Sequence, residues 1–599
     1  MKFLKQLIVL SIAALFSTCG DKIKKDTIHN EVAQTAKKPN IVLIITDDQG
    51  WGDLSINGNT NLNTPNIDAL AKNGVRFDNF YVQPVCSPTR AEILTGRHAA
   101  RLGVYDTSAG GERMNLGETT FAEIFKKNGY RTAAYGKWHN GMQAPYHPNA
   151  RGFDDFYGFA SGHWGSYFSP ILEHNGILVR GEGFLPDDLT NKGIEFIEEH
   201  KDEPFLLYLP YNTPHSPMQV PDEYWDKFQN KEISRKYSGK EEEQLEFTKA
   251  ALAMVENIDA NVGRLMKKIN ALQLEENTIV IFMSDNGPNS SRWNAGMRGK
   301  KGSTDEGGVR SPFFIQWKSV LPEGKTITEI ASGIDILPTL ANLANLKIET
   351  QNPIDGKSLK PLLTEAKSTW EPRFIFNHWN GKTSVRSNKY RLDDENRVYD
   401  ITTDRGQKTD IAHKLSSITN TLQNAKSNWL KKVLPLTKIE DGRPFTLGHP
   451  DFKYTQIPAR DGIPHGNIKR SNRWPNDSFF MNWTRVTDSI TWDIDVLENG
   501  TYEVSLLYTL AEGDVGVAIQ LSHGNSRFLT RLGEAHDPPL KGMENDRVKR
   551  NESYIKDFKP KALGSMKLSK GRQPLVLKAI RIPGKAAMDV RLLFFKRVG

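Results

Sequence analysis

The sequence predicts an α/β fold built on a central, mostly parallel sheet, followed by an all-β unit. Three observations carry this. Ile41 to Ile45, Phe205 to Leu209 and Thr278 to Met283 are short continuous apolar runs. That is the pattern of strands buried on both faces. Between them lie helical patterns, the clearest at 245–271, where Phe247, Ala251, Met254, Ile258, Val262, Leu265 and Ile269 repeat at helical spacing. That stripe reads as core. Past about residue 440 the period changes to two, in Thr491 to Val496, Thr501 to Tyr508, Val515 to Leu521, Pro574 to Ile582 and Met588 to Lys596. Regular short strands with Gly, Asn and Pro turns suggest a β-sandwich. A length of 599 residues requires more than one core.

Composition sets the class. Hydrophobic residues at 38% and charged residues at 25% fit a soluble globular protein. The net charge of +8 favours anionic partners, and both a sulfated polysaccharide and a nucleic acid have the right sign. No zinc-finger spacing or RNA-binding aromatic motif supports a nucleic acid, so none is expected. The two cysteines, Cys19 and Cys86, cannot make a disulfide framework. Lys2 and Lys5, the apolar stretch Leu7 to Phe16 and the following Ser17-Thr18-Cys19 read as a secretory signal over 1–19, with a polar tether over 20–37. Cys19 followed by Gly20 resembles a bacterial lipoprotein signal and is a candidate for lipidation. A plain cleaved signal is the alternative. The apolar stretch is short for a membrane span. The expectation is export to the periplasm, or to the outer membrane or cell surface as a lipoprotein of a Gram-negative bacterium, touching the membrane only through that anchor.

The elements follow in order. The first strand ends in Thr46-Asp47-Asp48-Gln49, so two carboxylates lie at a strand's carboxyl end, the usual ligand crevice of an open α/β sheet. Such oxygen ligands suit Ca²⁺ or Mg²⁺; a solvated polar turn is the plain alternative. Thr64 caps and Pro65 starts a helix that Gly74 ends. In CSPTRAEILTGRH, residues 86–98, Ser87 is a natural N-cap, Pro88 a natural first helical residue and Gly96 a natural stop. Cys86 then lies just outside a helix N-terminus and Arg90 in its first turn, an anion-binding arrangement. A small buried Cys beside a surface Arg is the plain alternative. An amphipathic helix at 118–128 ends at Gly129, and a strand from Tyr130 to Tyr135 delivers Gly136-Lys137-Trp138-His139. Alternation puts Lys137 and His139 on one side and Trp138 on the other. A cation and an imidazole converging on one point suit an anion and a proton transfer. Residues 151–158 read as a loop, and Ser161, His163, Trp164 and Tyr167 follow as candidates to touch a ligand. His215 lies just beyond the 205–209 strand. The 278–283 strand ends in Ser284-Asp285-Asn286-Gly287, which repeats the first strand's logic. Side by side, the two strands would gather Asp47, Asp48, Asp285 and Asn286 into a calcium site. Arg292 and Trp293, within 289–294, are candidates for a subsite. Pro312 to Trp317 reads as a strand, Asp335 opens a helix, and 371–432 reads as short strands and then a helix.

Cys86-Ser87-Pro88-Thr89-Arg90 with its continuation to Arg97, and GYRTAAYGKWHNG at 129–141, resemble the two signatures of the formylglycine-dependent (type I) sulfatases. Gly299 to Arg310 resembles a further motif of that family. The resemblance covers roughly 38–432. It implies an alkaline-phosphatase-like sandwich over 38–370, a small antiparallel subdomain over 371–436, and an accessory β-sandwich over 440–599 outside it. It implies that Cys86 is converted to formylglycine (3-oxoalanine) by a formylglycine-generating or anaerobic sulfatase-maturating enzyme. It assigns one Ca²⁺ to Asp47, Asp48, Asp285, Asn286 and residue 86. It also implies that the hydrate of residue 86 attacks sulfur with Asp285 as base, that His215 protonates the leaving alcohol, that His139 takes the second hydroxyl proton, and that Arg90 and Lys137 stabilise the hydrate. Of the doubled lysine, it points to Lys301 for the sulfate, with Lys300 open. The expected reaction is sulfate ester hydrolysis on a sulfated carbohydrate, such as oligosaccharides of algal polysaccharide. A phosphoryl or phosphonate ester hydrolase of the same superfamily and a surface glycan-binding protein are the alternatives.

Overall fold

The computed structural model describes residues 37–365, 369–434 and 441–599. The signal, Cys19 and the tether up to residue 36 lie outside the described residues. From Lys38 onward the chain forms one compact unit.

A ten-stranded sheet forms the centre. Asn40–Thr46 lies in the middle, parallel to Thr278–Ser284 on one side and to Phe205–Pro210 on the other. Arg131–Lys137 and Asp155–Phe159 continue the parallel run beyond Phe205–Pro210. Toward the margins antiparallel pairs enter. Ile171–His174 and Ile177–Arg180 form a hairpin at one edge. On the other side Phe313–Gln316 runs antiparallel to both Thr278–Ser284 and Val75–Phe77, with Lys325–Ile327 parallel to Val75–Phe77 at the edge. The sheet is therefore mixed, with a parallel centre. Residues 151–158 are not wholly loop, since Asp155–Phe159 is a strand.

Both faces are covered, which is why the central strands are continuously apolar. Ile41, Leu43 and Ile45 pack with Ile93, Phe121, Phe125, Leu337 and Leu340, from the helices Cys86–Thr95, Phe121–Lys127 and Ile336–Leu343. Val42 and Ile44 pack with Ile67, Leu189, Ile258, Val262 and Leu265, from Pro65–Lys72, Leu185–Glu199 and Leu245–Ala271.

The helix Cys86–Thr95 starts two residues earlier than its sequence suggests. Val85 is the N-cap and Cys86 is the first helical residue, while Gly96 ends the helix at φ 69°. Ser87 does not cap; its hydroxyl donates to the Glu112 carbonyl and accepts from Asn140. Pro88 is tolerated because N–H groups in a first turn have no intrahelical partner.

The small subdomain is a four-stranded antiparallel sheet, Ile375–Trp379 to Val398–Asp400, covered by the helix Ser416–Val433. It is joined to the centre by a buried carboxylate. Glu306 accepts from Tyr81, pairs with Arg310 at 3.2 Å and Arg391 at 3.1 Å, and has Arg386 at 3.7 Å. Burial opposes its ionisation, but Arg386, Arg391 and Arg310 prevail and hold it down at about 2.

The C-terminal unit is a sandwich of two six-stranded sheets. One centres on Ser489–Val496 and Gly571–Arg581, the other on Gly500–Thr509 and Asp589–Arg597. Trp483, Trp492, Leu506, Leu577, Leu593 and Phe595 fill the space between them. The sandwich also contains Lys559–Leu568, an edge strand whose alternation its lysines and glycine mask.

Glu306→Gln should lower thermal stability by the equivalent of about 3–5 kcal/mol, because it leaves buried arginines unpaired. The contribution has a defined pH dependence: with its folded value lowered from 4.5 to about 2, Glu306 stabilises above 4.5 and loses that effect as pH falls toward 2. Thermal unfolding of both proteins across that range should show the gap narrowing as pH falls.

Candidate active site

The register of the two central strands builds the site. Thr46 pairs with Ser284, so the next residues of both strands emerge together at their carboxyl ends. Ligand atoms of Asp47, Asp48, Asp285 and the Cys86 sulfur all lie within 4.8 Å of one another, and all four residues are buried. Asp48 sits at φ 64°, a left-handed turn that brings its N–H to the Asp285 carboxylate at 3.2 Å.

Each carboxylate is met by a cation from a different element. Lys137, the last residue of its strand, holds Asp47 at 2.6 Å. Arg90 approaches Asp285 with Nε at 3.0 Å and Nη2 at 2.8 Å, and gives Nη1 to the Lys137 carbonyl at 2.8 Å. Lys301 lies 2.7 Å from Asp48. Burial works against ionisation of Asp47, yet Lys137, His215 and Arg90 keep it well below the usual carboxylate range. Asp285 goes the other way: burial, then the Asp47 charge, push it up to about 6 despite Arg90. Burial also pushes the Cys86 thiol up, against the pull of Lys137 and Lys301.

The doubled lysine separates in space. Lys301 turns inward to Asp48, while Lys300 turns outward to Glu241 at 2.5 Å with 40% of its side chain exposed.

The donor set fits a divalent cation. Asn286 donates Nδ2 to Asp48 at 2.8 Å, and its amide oxygen is buried with no partner among the described residues. Three carboxylates and an unpartnered amide oxygen are hard ligands of the kind Ca²⁺ or Mg²⁺ takes.

Three histidines surround the cluster. His139, at φ 67°, places Nε2 at 2.8 Å from the Thr107 carbonyl. A carbonyl only accepts, so Nε2 carries the proton and Nδ1 keeps a lone pair; Nδ1 is buried and unpartnered. Burial and the Lys137 charge lower its affinity for a proton well below that of a free imidazole. His215 likewise gives Nδ1–H to the Ser216 carbonyl at 2.7 Å, which leaves Nε2 3.5 Å from Asp48. His163 lies 5.5 Å from His215, ring to ring, and both its nitrogens are buried without partners.

These residues open onto one cavity of about 670 Å³, lined by Cys86, Asp48, His139, His163, His215 and Lys301. Arg292 and Trp293 do not line it. The Asp53 carboxylate draws the Arg292 guanidinium inward at 2.7 Å, where it also donates to the Asp48 carbonyl at 3.0 Å. Arg292 therefore shapes the Asp48 turn from behind. Trp293 lies beside Arg235, with the guanidinium 5.8 Å from its ring. Sequence reasoning missed the cavity's outer wall, where Trp379 and Asn380 come from the small subdomain and Arg473, Trp474, Asn476 and Lys549 from the sandwich. The available signal was Trp474 itself, a tryptophan in the irregular polar stretch 471–478.

The sulfatase family model matches residues 39–346, just over half of the chain and the whole span that builds the cluster. The chain belongs to the sulfatase family. Among curated relatives, human arylsulfatase A is 34% identical over 401 residues, covering 59% of this chain and 75% of its own. Mouse N-acetylgalactosamine-6-sulfatase is 30% identical over 380 residues, covering 57% and 70%. The solved structure of Ps i-CgsB in complex with k-i-k-neocarrahexaose is 31% identical with a TM-score of 0.60, covering 68% of this chain and 96% of that one. This protein is thus a type I sulfatase of the alkaline-phosphatase-like superfamily, an enzyme of sulfate ester hydrolysis.

The inward turn of Lys301 separates its role from that of its neighbour. Removing one anion-stabilising group costs about 10²–10³-fold in turnover, so Lys301→Ala should lose activity on that scale. Lys300→Ala should stay near wild type in the same steady-state assay.

Proposed function

We propose that this sulfatase desulfates a sulfated saccharide, of the kind found in oligosaccharides of algal polysaccharide, using formylglycine at residue 86 and Ca²⁺. The carrying observation is the convergence of the Cys86 sulfur with three carboxylates, within 4.8 Å of one another, on a cavity lined by Lys301 and three histidines. The neocarrahexaose held by Ps i-CgsB, at 31% identity, supports a carbohydrate substrate. The net charge of +8 suits an anionic one. The leader read at 1–19 makes it an exported enzyme, with Cys19 the candidate lipid anchor and a maturating enzyme required for residue 86.

Asp47, Asp48, Asp285 and Asn286 would hold the cation, which supplies Lewis-acid charge to the sulfate oxygens. Formylglycine supplies, as its hydrate, a hydroxyl nucleophile with a second hydroxyl beside it. The chain's own groups do the rest. Lys301, which lines the cavity, binds sulfate oxygens and stabilises the charge that develops on them, while Lys137, buried on Asp47, supports the hydrate of residue 86 together with Arg90. Arg90 fixes Asp285 and the Lys137 backbone together. Asp285, held in place by the Arg90 guanidinium, accepts the proton of the attacking hydroxyl. His215 presents Nε2 to the cavity and, as the imidazolium with Asp48 beside it, delivers the Nε2 proton to the leaving alcohol, returning to the neutral ring whose Nδ1–H stays on the Ser216 carbonyl. His139 presents Nδ1, its tautomer fixed by the Thr107 carbonyl, and takes a proton as sulfate is released.

The test is sulfate release across defined sulfated oligosaccharides, with phosphate esters in parallel. Sulfate release by wild type and its loss in Cys86→Ala are expected; preferential release of phosphate would overturn the reading. Mass analysis of active protein should find an aldehyde at residue 86, and full activity with an unmodified thiol would reject it. Calcium should raise the melting temperature of wild type by linkage, with 100-fold excess over Kd worth about 2.7 kcal/mol. Asp48→Asn should blunt that rise, and an unchanged response would remove Asp48 from the ligand set.

A further inference from the structure

The C-terminal sandwich forms part of the wall around the reacting atoms. Asn476 donates Nδ2 to the Thr107 carbonyl at 3.1 Å, the same oxygen that fixes His139. Gly162 permits this crowding, since a Cβ there would lie 2.1 Å from His139 Nε2 and 2.8 Å from Asn476 Nδ2. The segment 542–552 is fastened next to His215. Gln219 donates to the Gly542 carbonyl at 2.8 Å and to Asp546 at 2.9 Å, and the Ser216 hydroxyl donates to Glu552. The Arg547 N–H donates to the Met218 carbonyl at 2.9 Å. Arg550 is neutralised by Asp546 at 2.5 Å. The wall is therefore fixed against the catalytic cleft from both sides.

On this wall, two cations make no ion pair among the described residues. Arg473 lies over the Trp474 ring, 4.7 Å from its centroid, and Trp474 remains 50% exposed. Lys549 is exposed on the same cavity, which Trp379 of the small subdomain lines as well. A large exposed indole is expensive to keep in water, and two cations left unpaired beside it suit an anionic ligand with an apolar face. A pyranose ring bearing sulfate has both. We propose that Arg473, Trp474 and Lys549 form an outer subsite for a further sugar of a sulfated chain, with the indole as the platform and the two cations on its sulfate. The sandwich is then part of the substrate site. This rests on the reading of the substrate as a sulfated saccharide.

The test measures binding of two probes to the full chain by calorimetry: a sulfated dextran hexasaccharide and p-nitrophenyl sulfate. Wild type should prefer the hexasaccharide. Trp474→Ala and the double variant Arg473→Ala/Lys549→Ala should each reduce that preference by about 10-fold or more, and Trp474→Phe should keep most of it. Melting temperatures near wild type show that the variants fold; a variant that unfolds is replaced by Trp474→Leu, which must show the same loss. Wild-type preference in the folded variants, or no preference in wild type, overturns the subsite. Preference without sulfate release from any ester would leave the subsite standing and fail the proposed reaction.

Discussion

Three buried carboxylates face one another at the heart of this protein, and the rest of the structure answers their repulsion. The parallel pairing that ends at Thr46 and Ser284 forces Asp47, Asp48 and Asp285 together. Buried charge is costly unless it is paired and hydrogen-bonded. Lys137, Arg90 and Lys301 arrive from a strand end, a helix and a loop to pair it. Of the three, Lys301 also lines the cavity. The constraint that makes the fold expensive thus prepares the site, because cations held by buried acids are already in place before substrate arrives.

The same economy recurs behind the site. Arg292 is buried on Asp53 and fixes the backbone of Asp48, and Glu306 gathers three arginines where the small subdomain meets the centre. Both are positioning devices in which one acid and neighbouring guanidinium groups set a loop. They keep the Lys301 loop and the Asp48 turn on a common frame, since Glu306 lies only five residues beyond Lys301.

The sandwich adds reach. Its residues touch the backbone that orients His139 and the segment that follows His215, so it meets the site on two sides of the cavity. A domain attached there supplies part of the cavity wall, with Arg473, Trp474, Asn476 and Lys549, without supplying any member of the buried acid cluster.

Much of this was legible from local patterns. Apolar runs marked the central strands because both their faces are covered, and polar residues just past those runs marked the crevice. Cys86, Arg90, Lys137, His139, His215 and Asp285 were singled out because motif and strand end coincide. Local pattern failed where partners come from far along the chain. The hairpin at 171–180 does carry a local signal, Asn175-Gly176 between two runs rich in apolar residues, but Arg292 reads as a free cation until Asp53, 239 residues earlier in the chain, is placed beside it. The sequence by itself determined which acids and cations stand at strand ends and a helix start. Only the tertiary structure decided which lysine turns inward, which arginine is spent on structure, and that the last domain walls the cavity, because each depends on a partner hundreds of residues away.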